Sequence, residues 1–110
     1  MNLPNRETAF IQPQKLLGYL LSETHSVGGS KAKLLRGAGF NEENVDILEQ
    51  RLLEIARLQS VKEVVTSPHG TKYIIEGEIE ALNGYLISLR TVWIIDMGQE
   101  TPRFVTAHPL

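Results

Sequence analysis

The hydrophobic pattern of this chain changes its period near residue 60, and this change limits the fold more than any other feature. Before that point apolar residues recur at helical spacing, as in the stripe Val45, Leu48 and Leu52. After Gln59 apolar and polar residues alternate, which is typical of half-buried strands. A run of helices followed by a run of strands indicates an α+β fold. The sequence therefore predicts helices packed on one face of an antiparallel sheet.

About three helices are expected in residues 13–58, after an irregular arm at residues 1–12. Pro13 suits the first turn of a helix, because its missing N–H would have no partner there. That first helix is expected to end near residue 22, with its leucines forming one apolar face. Ser30 and Asn41 are side chains of the N-cap type, so they are expected to begin the second and third helices.

Four strands are expected in residues 61–108, joined as a meander. Pro68-His69-Gly70 has the composition of a turn, in which His69 is an ordinary exposed residue. Asn83-Gly84 is the strongest hairpin signal in the chain and predicts a two-residue turn. The predicted strands are Val61–Ser67, Thr71–Ile79, Tyr85–Asp96 and Arg103–His108.

A strand register follows if Asp96 pairs with Pro102 across the last loop. Directly opposed residues share a face of the sheet, so Arg90, Thr106 and His108 are expected to cluster at one end of it. The predicted pairs are Ile94 with Phe104, Val92 with Thr106, and Arg90 with His108.

The two-residue turn also predicts the pairing of the second and third strands. It places Gly77 opposite Arg90, which leaves open space beside the guanidinium. Both faces of the sheet carry apolar residues, so the face that the helices cover stays open. Trp93 is expected in the core, with a base-stacking platform as the alternative if its face is exposed. The residues predicted on the face away from Arg90 are Lys72, Thr91, Trp93 and Arg103.

Arg90, Thr106 and His108 have the side-chain types of an RNA-cleaving site. Such a reaction needs a base for the 2′-hydroxyl proton, an acid for the leaving oxygen, and cations for the charge on phosphorus. Histidine titrates near neutral pH, and arginine can hold phosphate with two parallel hydrogen bonds. The alternative is that Arg90 is an exposed strand residue and that His108 belongs to a frayed terminus.

The segment HSVGGSKAK supplies a second group of candidates. Backbone N–H groups at the start of a helix attract phosphate. The segment is not a Walker A motif, because the GK pair and the glycine four residues before it are absent. The alternative is an ordinary Gly-Gly turn with a serine cap and solvated lysines. The phosphate-binding candidates are Gly28, Gly29, Ser30, Lys31 and Lys33, with His25 beside them as a candidate acid or base.

Length and composition argue against several classes of protein. A chain of 110 residues suits one domain spanning residues 1–110. Without cysteine it has neither disulfides nor thiolate metal sites, and its three histidines lack HExxH spacing, so no metal or cofactor is expected.

No signal peptide or bilayer-spanning run is present, which predicts a cytoplasmic protein without a membrane partner. The net charge of −2 counts against a dedicated nucleic-acid binder but permits an enzyme with a local cationic patch.

Four blocks of this chain resemble an uncharacterised bacterial domain family. The blocks are HSVGGSKAKLL, GTKYIIEG, LRTVWIID and PRFVTAHP, and the family's counterparts read KLTGYLLNPxHPVGGxKAxFF, GTKYxVxG, RTVWxI and PRLVTAYP. The resemblance extends from Lys15 to Leu110. Family members look like short stand-alone proteins or tails of phage-related and toxin-like proteins, which implies an effector or toxin–antitoxin context. The layout of helices before a four-stranded sheet is also similar to the barnase, EndoU, colicin and RelE-like ribonucleases.

The chain departs from the family pattern at one candidate residue, His108, where the family usually has tyrosine. A role shared by the family cannot require an imidazole there, so His108 is expected to be an accessory residue. The candidates that match family blocks are His25, Lys31, Lys72, Arg90 and Thr106.

Two functional hypotheses follow. In the first, the protein is a metal-independent ribonuclease or toxin-like effector: Arg90 and Lys31 or Lys72 bind RNA phosphate, Thr106 orients it, and His25 transfers a proton. In the second, the protein is a non-catalytic interaction domain whose partner is a small cognate protein. An exposed strand edge or Trp93 would then bind that partner.

Overall fold

The computed structural model describes residues 1–26 and 29–110 of the chain. It confirms the α+β fold, with helices before a four-stranded sheet. The helices are α1, Pro13–Lys15, which continues into a π-helical turn, Leu16–Leu20; α2, Gly29–Gly37; and α3, Val45–Leu58. The strands are β1, Glu63–Ser67; β2, Gly70–Glu80; β3, Leu86–Asp96; and β4, Arg103–Pro109.

The first helix differs from its prediction, because most of it is π-helical. The Leu21 N–H donates to the Leu16 carbonyl at 2.9 Å, five residues back. This wider turn changes the angular spacing of the side chains. Leu16, Leu20 and Leu21 are buried as expected, but Leu17 points outward and is 43% exposed.

The other two helices begin at different residues from those predicted. Helix α2 begins at Gly29, so Ser30 lies within its first turn and does not cap it. Helix α3 begins at Val45 with Asn44 before it, three residues after the predicted cap. The Asn41 carboxamide oxygen instead accepts from the Glu43 N–H at 2.8 Å, which forms a separate turn ahead of the helix.

The sheet is an antiparallel meander in the order β1-β2-β3-β4, as predicted. Helices cover the face that carries Ile75, Ile79 and Leu89, all of which are buried. Gly77 lies in the same row, where a Cβ atom would stand 3.0 Å from Ile55 Cγ1 of α3. The glycine thus lets α3 approach the sheet closely.

Trp93 lies in the core, with none of its surface exposed. Its indole packs edge-on against Phe104, with ring centroids 5.3 Å apart. The indole Nε1 donates to Thr91 Oγ1 at 2.8 Å, and that hydroxyl donates to the Ile75 carbonyl at 2.7 Å. The core assignment is confirmed, and the alternatives of a stacking platform or a partner-binding residue are wrong.

The predicted register between β2 and β3 is wrong by one residue, because the hairpin loop is longer than two residues. Gly84, at φ 92°, donates its N–H to the Ala81 carbonyl at 3.0 Å. This matches a type I turn followed by a left-handed glycine, the usual three-residue hairpin loop. Arg90 is therefore opposite Glu76, and Gly77 is opposite Leu89 on the helix-covered face.

A β-bulge changes the register between β3 and β4 halfway along. Beyond Val92 the pairing shifts by one residue, because Val105 is an extra residue on β4. Trp93 is therefore opposite Phe104, so the predicted pairing of Ile94 with Phe104 is wrong. The pairs of Arg90 with His108 and Val92 with Thr106 are confirmed.

Together these shifts change which residues share a face with Arg90. Lys72 and Arg103 are both paired with Ile94, which lies on the Arg90 side of the sheet. Their predicted position on the opposite face is therefore wrong.

The arm at residues 1–12 contacts the core and the outer edge of β4. Leu3 is 2% exposed, and the arm includes one short 3₁₀ helix, Arg6–Thr8. Phe10 forms a parallel bridge to β4: its N–H donates to Pro102 at 3.1 Å, and its carbonyl accepts from Phe104 at 3.0 Å. The arm thus pairs with the beginning of β4, while Thr106 lies further along that strand.

Candidate functional site

Three polar side chains from three separate segments meet beside β4. Lys31 Nζ donates to Tyr19 Oη at 2.6 Å and to Thr106 Oγ1 at 2.8 Å. The two hydroxyl oxygens lie 2.8 Å apart, which closes a triangle. We call Tyr19, Lys31 and Thr106 the hydroxyl–ammonium cluster.

Irregular backbone brings two members of the cluster to this place. Tyr19 belongs to the π-helical turn, whose buried residues Leu16 and Leu20 anchor it to the core. Thr106 directly follows the bulged residue Val105. Bulges redirect side chains, and π-helical turns are frequent at functional sites. Lys31 comes from the first turn of α2 and is itself buried, with 8% of its surface exposed.

The hydrogen bonds of the cluster leave donors for an anion. An ammonium group has three N–H donors, and Lys31 uses two of them on the hydroxyls. Each hydroxyl has one proton, and only one of the two hydroxyls donates within the triangle. Within the described part of the chain, one N–H and one O–H of the cluster therefore remain without an acceptor. Among residues 1–26 and 29–110, no carboxylate forms an ion pair with Lys31.

The positive charge around Tyr19 changes its acidity. Burial favours the neutral phenol, but the hydrogen bonds from Lys31 and Thr106 and the charges of Lys31 and Lys15 outweigh it. Their combined effect lowers the pKa of Tyr19 below its ordinary value. Lys15 Nζ lies 5.1 Å from the centroid of the Tyr19 ring, within the range of a cation–π contact.

A cleft of about 560 Å³ opens next to the cluster, between the first helical turns and the β4 bulge. We call it the lateral cleft. His25 lines it and packs edge-on against the Tyr19 ring, with centroids 5.0 Å apart. Gln14, Lys15 and Gly18 form the part of the wall that belongs to the first helical segment.

His108 and Arg90 lie on the open face of the sheet, directly opposite each other on β4 and β3. Arg90 is paired with Glu76: its Nη2 is 2.8 Å from Oε2 of that carboxylate, and Lys62 Nζ lies 3.0 Å from Oε1. Burial and the charges of Lys31 and Arg90 lower the pKa of His108. The imidazole is therefore neutral over a wider pH range than an ordinary histidine.

Some sequence-predicted candidates meet in this region. The structure brings His25 to the Tyr19 ring, Lys31 to Thr106, and Arg90 to His108. Lys72 lies apart from Arg90 and His108. On β2 it is four residues from Glu76, the residue opposite Arg90, and four residues of a strand span about 13 Å.

The phosphate-binding candidates around α2 divide into separate surfaces. Lys31 points into the cluster, whereas Lys33 and Ser30 are exposed on the helix. Gly29 is the first residue of α2, and its N–H donates to the His25 carbonyl at 2.9 Å. Gly28 lies outside the described residues.

Sequence reasoning missed Tyr19, which with Thr106 belongs to both the cluster and the cleft wall. In the stretch LLGYLL it reads as part of an apolar helix face. Its distance in sequence from Thr106, 87 residues, hides the contact. A local signal was available in Lys15, four residues earlier. Side chains at i and i+4 on a helix are neighbours, so the spacing places an ammonium group beside the Tyr19 phenol.

The described residues offer neither a metal-binding group nor a membrane-spanning helix. No group of three or more His, Cys, Asp or Glu side chains there is placed to share a metal ion. Within the same ranges, no helix is both long enough and apolar enough to cross a bilayer.

Comparisons with known proteins identify the family. No curated protein matches the chain in sequence. A similar solved structure is titled as a contact-dependent growth inhibition toxin–immunity protein complex from Klebsiella pneumoniae 342; the TM-score is 0.75 at 16% identity, over 94% of this chain and 95% of that one. That likeness shows a shared fold. The family "Domain of unknown function (DUF6883)" matches residues 2–110. The expectation of an uncharacterised family is thus confirmed: the chain belongs to the DUF6883 family.

Proposed function

We propose that this domain is a metal-independent endoribonuclease with a toxin-like role. The observation that carries the proposal is the hydroxyl–ammonium cluster, which keeps one N–H and one O–H donor for an anion next to a cleft lined by His25. Phosphate oxygens accept such donors, and charge-assisted hydrogen bonds are the stronger kind.

The reaction would be transfer of the phosphodiester to the neighbouring 2′-hydroxyl. The P–O2′ bond forms while the P–O5′ bond breaks, which leaves a 2′,3′-cyclic phosphate and a 5′-hydroxyl. His25 accepts the 2′-hydroxyl proton, and O5′ takes a proton from water. Lys31 and the free hydroxyl of Tyr19 or Thr106 donate to the non-bridging oxygens, where negative charge increases in the transition state.

The toxin-like role is supported by the shared fold. The similar solved structure comes from a toxin–immunity complex, in which a toxin is matched with a protein partner. By the same likeness, a small cognate protein is the proposed partner of this chain.

The direct test is cleavage of total RNA and of tRNA by the purified protein in EDTA. The wild type is compared with Lys31→Ala and with Lys33→Ala, a matched control in which an exposed lysine of the same helix is removed. Loss of one donor to developing charge typically costs about 100-fold or more in rate. We therefore expect at least that loss in Lys31→Ala and wild-type cleavage in Lys33→Ala.

Folding must be separated from chemistry in this test, because Lys31 is buried. Circular dichroism checks each variant, and Thr106→Val supplies a second, nearly isosteric removal of a cluster hydroxyl. Intact RNA with folded wild-type protein at high concentration would contradict the proposal. So would equal cleavage by the wild type and a folded Lys31→Ala variant.

A non-catalytic interaction domain is the second candidate function, and one observation favours it. Strand β1 is one of the two outer strands of the sheet, and its Val64 and Val65 are 44% and 43% exposed. A partner could add a strand at such an edge. A protein that co-purifies in equal amount with the wild type, and is lost on Val64→Lys, would support this candidate.

A further inference from the structure

We infer that the lateral cleft is a nucleoside-binding subsite, which takes the base and ribose of one nucleotide whose phosphate lies on the hydroxyl–ammonium cluster. The inference deepens the proposed function and rests on it, because RNA is the source of that nucleotide. It adds a ligand to a part of the surface that phosphate binding alone does not use.

The size of the cleft suits this ligand. Sites for small molecules usually measure about 300–1,000 Å³, and the lateral cleft has about 560 Å³. Gly18 helps to keep it open, because this residue contributes no side chain to the wall. A Cβ atom built at Gly18 would find its nearest neighbour, Gln14 Cβ, at an unstrained 3.7 Å. A Cβ atom there therefore fits without strain, and because Gly18 lines the cleft, we expect a longer side chain to take up part of its volume.

The position of the cleft relative to the cluster also suits a nucleotide. Tyr19 and Thr106 belong to both the cluster and the cleft wall. A phosphate held by their hydroxyls and by Lys31 would thus direct its sugar into the cleft. There the rings of Tyr19 and His25 border the space, and aromatic rings are common contacts for unpaired RNA bases.

Two polar side chains of the wall match the remaining groups of a nucleotide in RNA. The Gln14 carboxamide is exposed, and within the described ranges it has no hydrogen-bond partner. It can both donate and accept, as the edge of a base requires. Lys15 forms no ion pair with a described carboxylate, so its charge is available to a flanking phosphate. This charge complementarity favours a nucleotide over a neutral ligand.

The inference is tested by binding, without RNA cleavage. The probes are inorganic phosphate and the four nucleoside 3′-monophosphates, titrated by calorimetry into the wild type, Gly18→Leu and Gly37→Leu. Gly37 is the matched control: it is also a helical glycine, and its added Cβ would meet no atom within 4 Å.

We expect at least one nucleoside 3′-monophosphate to bind the wild type ten or more times more tightly than phosphate does. Gly18→Leu should remove this advantage and leave phosphate binding unchanged, whereas Gly37→Leu should keep both. Gln14→Ala should reduce the differences among the four bases. If Gly18→Leu fails to fold, Gly18→Ala takes its place with a smaller expected loss.

The outcomes separate this inference from the proposed function. Nucleotides that bind no more tightly than phosphate, or equally well to folded Gly18→Leu, would overturn the inference, even if RNA is cleaved. A tenfold nucleotide advantage that Gly18→Leu removes would uphold the subsite, even if the protein cleaves no RNA. In that case the catalytic proposal alone would fall.

Discussion

At the scale of single residues, the site depends on how one buried ammonium group is accommodated. Burying a charge is costly unless hydrogen bonds compensate for it. Lys31 meets that requirement with two hydroxyl groups and no carboxylate among the described residues. An acidic partner would have neutralised the charge, whereas hydroxyls leave it available to an incoming anion. The same charge contributes to the lowered pKa values of Tyr19 and His108.

The acidity of His108 gives a prediction at this scale. Burial comes first among the causes that lower its pKa, and the positive charges of Lys31 and Arg90 add to it. Arg90→Gln removes one of these positive charges, and this change favours the imidazolium. We therefore expect the His108 pKa, followed by NMR titration, to lie below the ordinary histidine value in the wild type and to rise in Arg90→Gln.

Arg103→Gln is the control for this titration. Arg103 lies on the same face but is paired with Asp96, at 3.0 Å between Nη2 and Oδ1. The His108 titration should be unchanged in this variant. A wild-type midpoint at or above the ordinary histidine value would contradict the assigned environment.

At the scale of elements, the interruptions of regular structure decide where side chains point. A π-helical turn directs Tyr19 toward β4, a bulge at Val105 sets Thr106 beside it, and a three-residue loop aligns Arg90 with Glu76. Each interruption changes the phase of the side chains that follow it. The site is therefore a product of these irregular positions.

The close contact of α3 with the sheet gives the prediction for this scale. At Gly77 a Cβ atom would stand 3.0 Å from Ile55 Cγ1 and 3.3 Å from Gln59 Cγ. Adding a methyl group to a filled core typically costs about 1–3 kcal/mol. We expect Gly77→Ala to lower the free energy of unfolding by that amount, measured by urea denaturation.

Gly37→Ala is the comparison for Gly77→Ala. The added methyl has open space, and alanine is a better helix former than glycine, so no loss of stability is expected. Equal stability of the two variants would show that α3 does not pack on the sheet as closely as described.

At the scale of the whole molecule, the arm at residues 1–12 contacts the sheet at both of its edges, next to β1 and along β4. Leu3 and Ile11 are buried in the same core as the helices and the sheet. The Met1 carbonyl accepts from the Val61 N–H at 2.7 Å, ahead of β1, while Phe10 pairs with β4 at the other edge. The arm therefore adds to global stability although it has little regular structure.

Truncation of Leu3 tests this role of the arm. A buried leucine replaced by alanine typically costs about 2–5 kcal/mol, because transfer free energy is lost and a cavity remains. We expect Leu3→Ala to lower the free energy of unfolding in that range. Leu58→Ala, at a leucine that is 72% exposed, should change it little. Similar values for the two variants would contradict a docked arm.

Much of the fold was determined by the sequence itself, because its signals are local. The change of period near residue 60 predicted the order of helices and strands, and turn residues predicted the meander. The alternation of β3 around Arg90, with Thr91 and Trp93 on the opposite face, was also predicted correctly. These features depend on neighbours a few residues apart, so local residue pattern is enough to predict them.

The tertiary structure alone decided the site and those parts of the register that the hairpin loop and the bulge shift. Side chains alternate with a period of two, so one extra residue in a loop or bulge reverses the face of everything beyond it. That is why Lys72 and Arg103 were misplaced. Lys31 lies 12 residues from Tyr19 and 75 from Thr106, and no local pattern links them. They meet only because packing of the helices beside β4 brings three distant segments to one place.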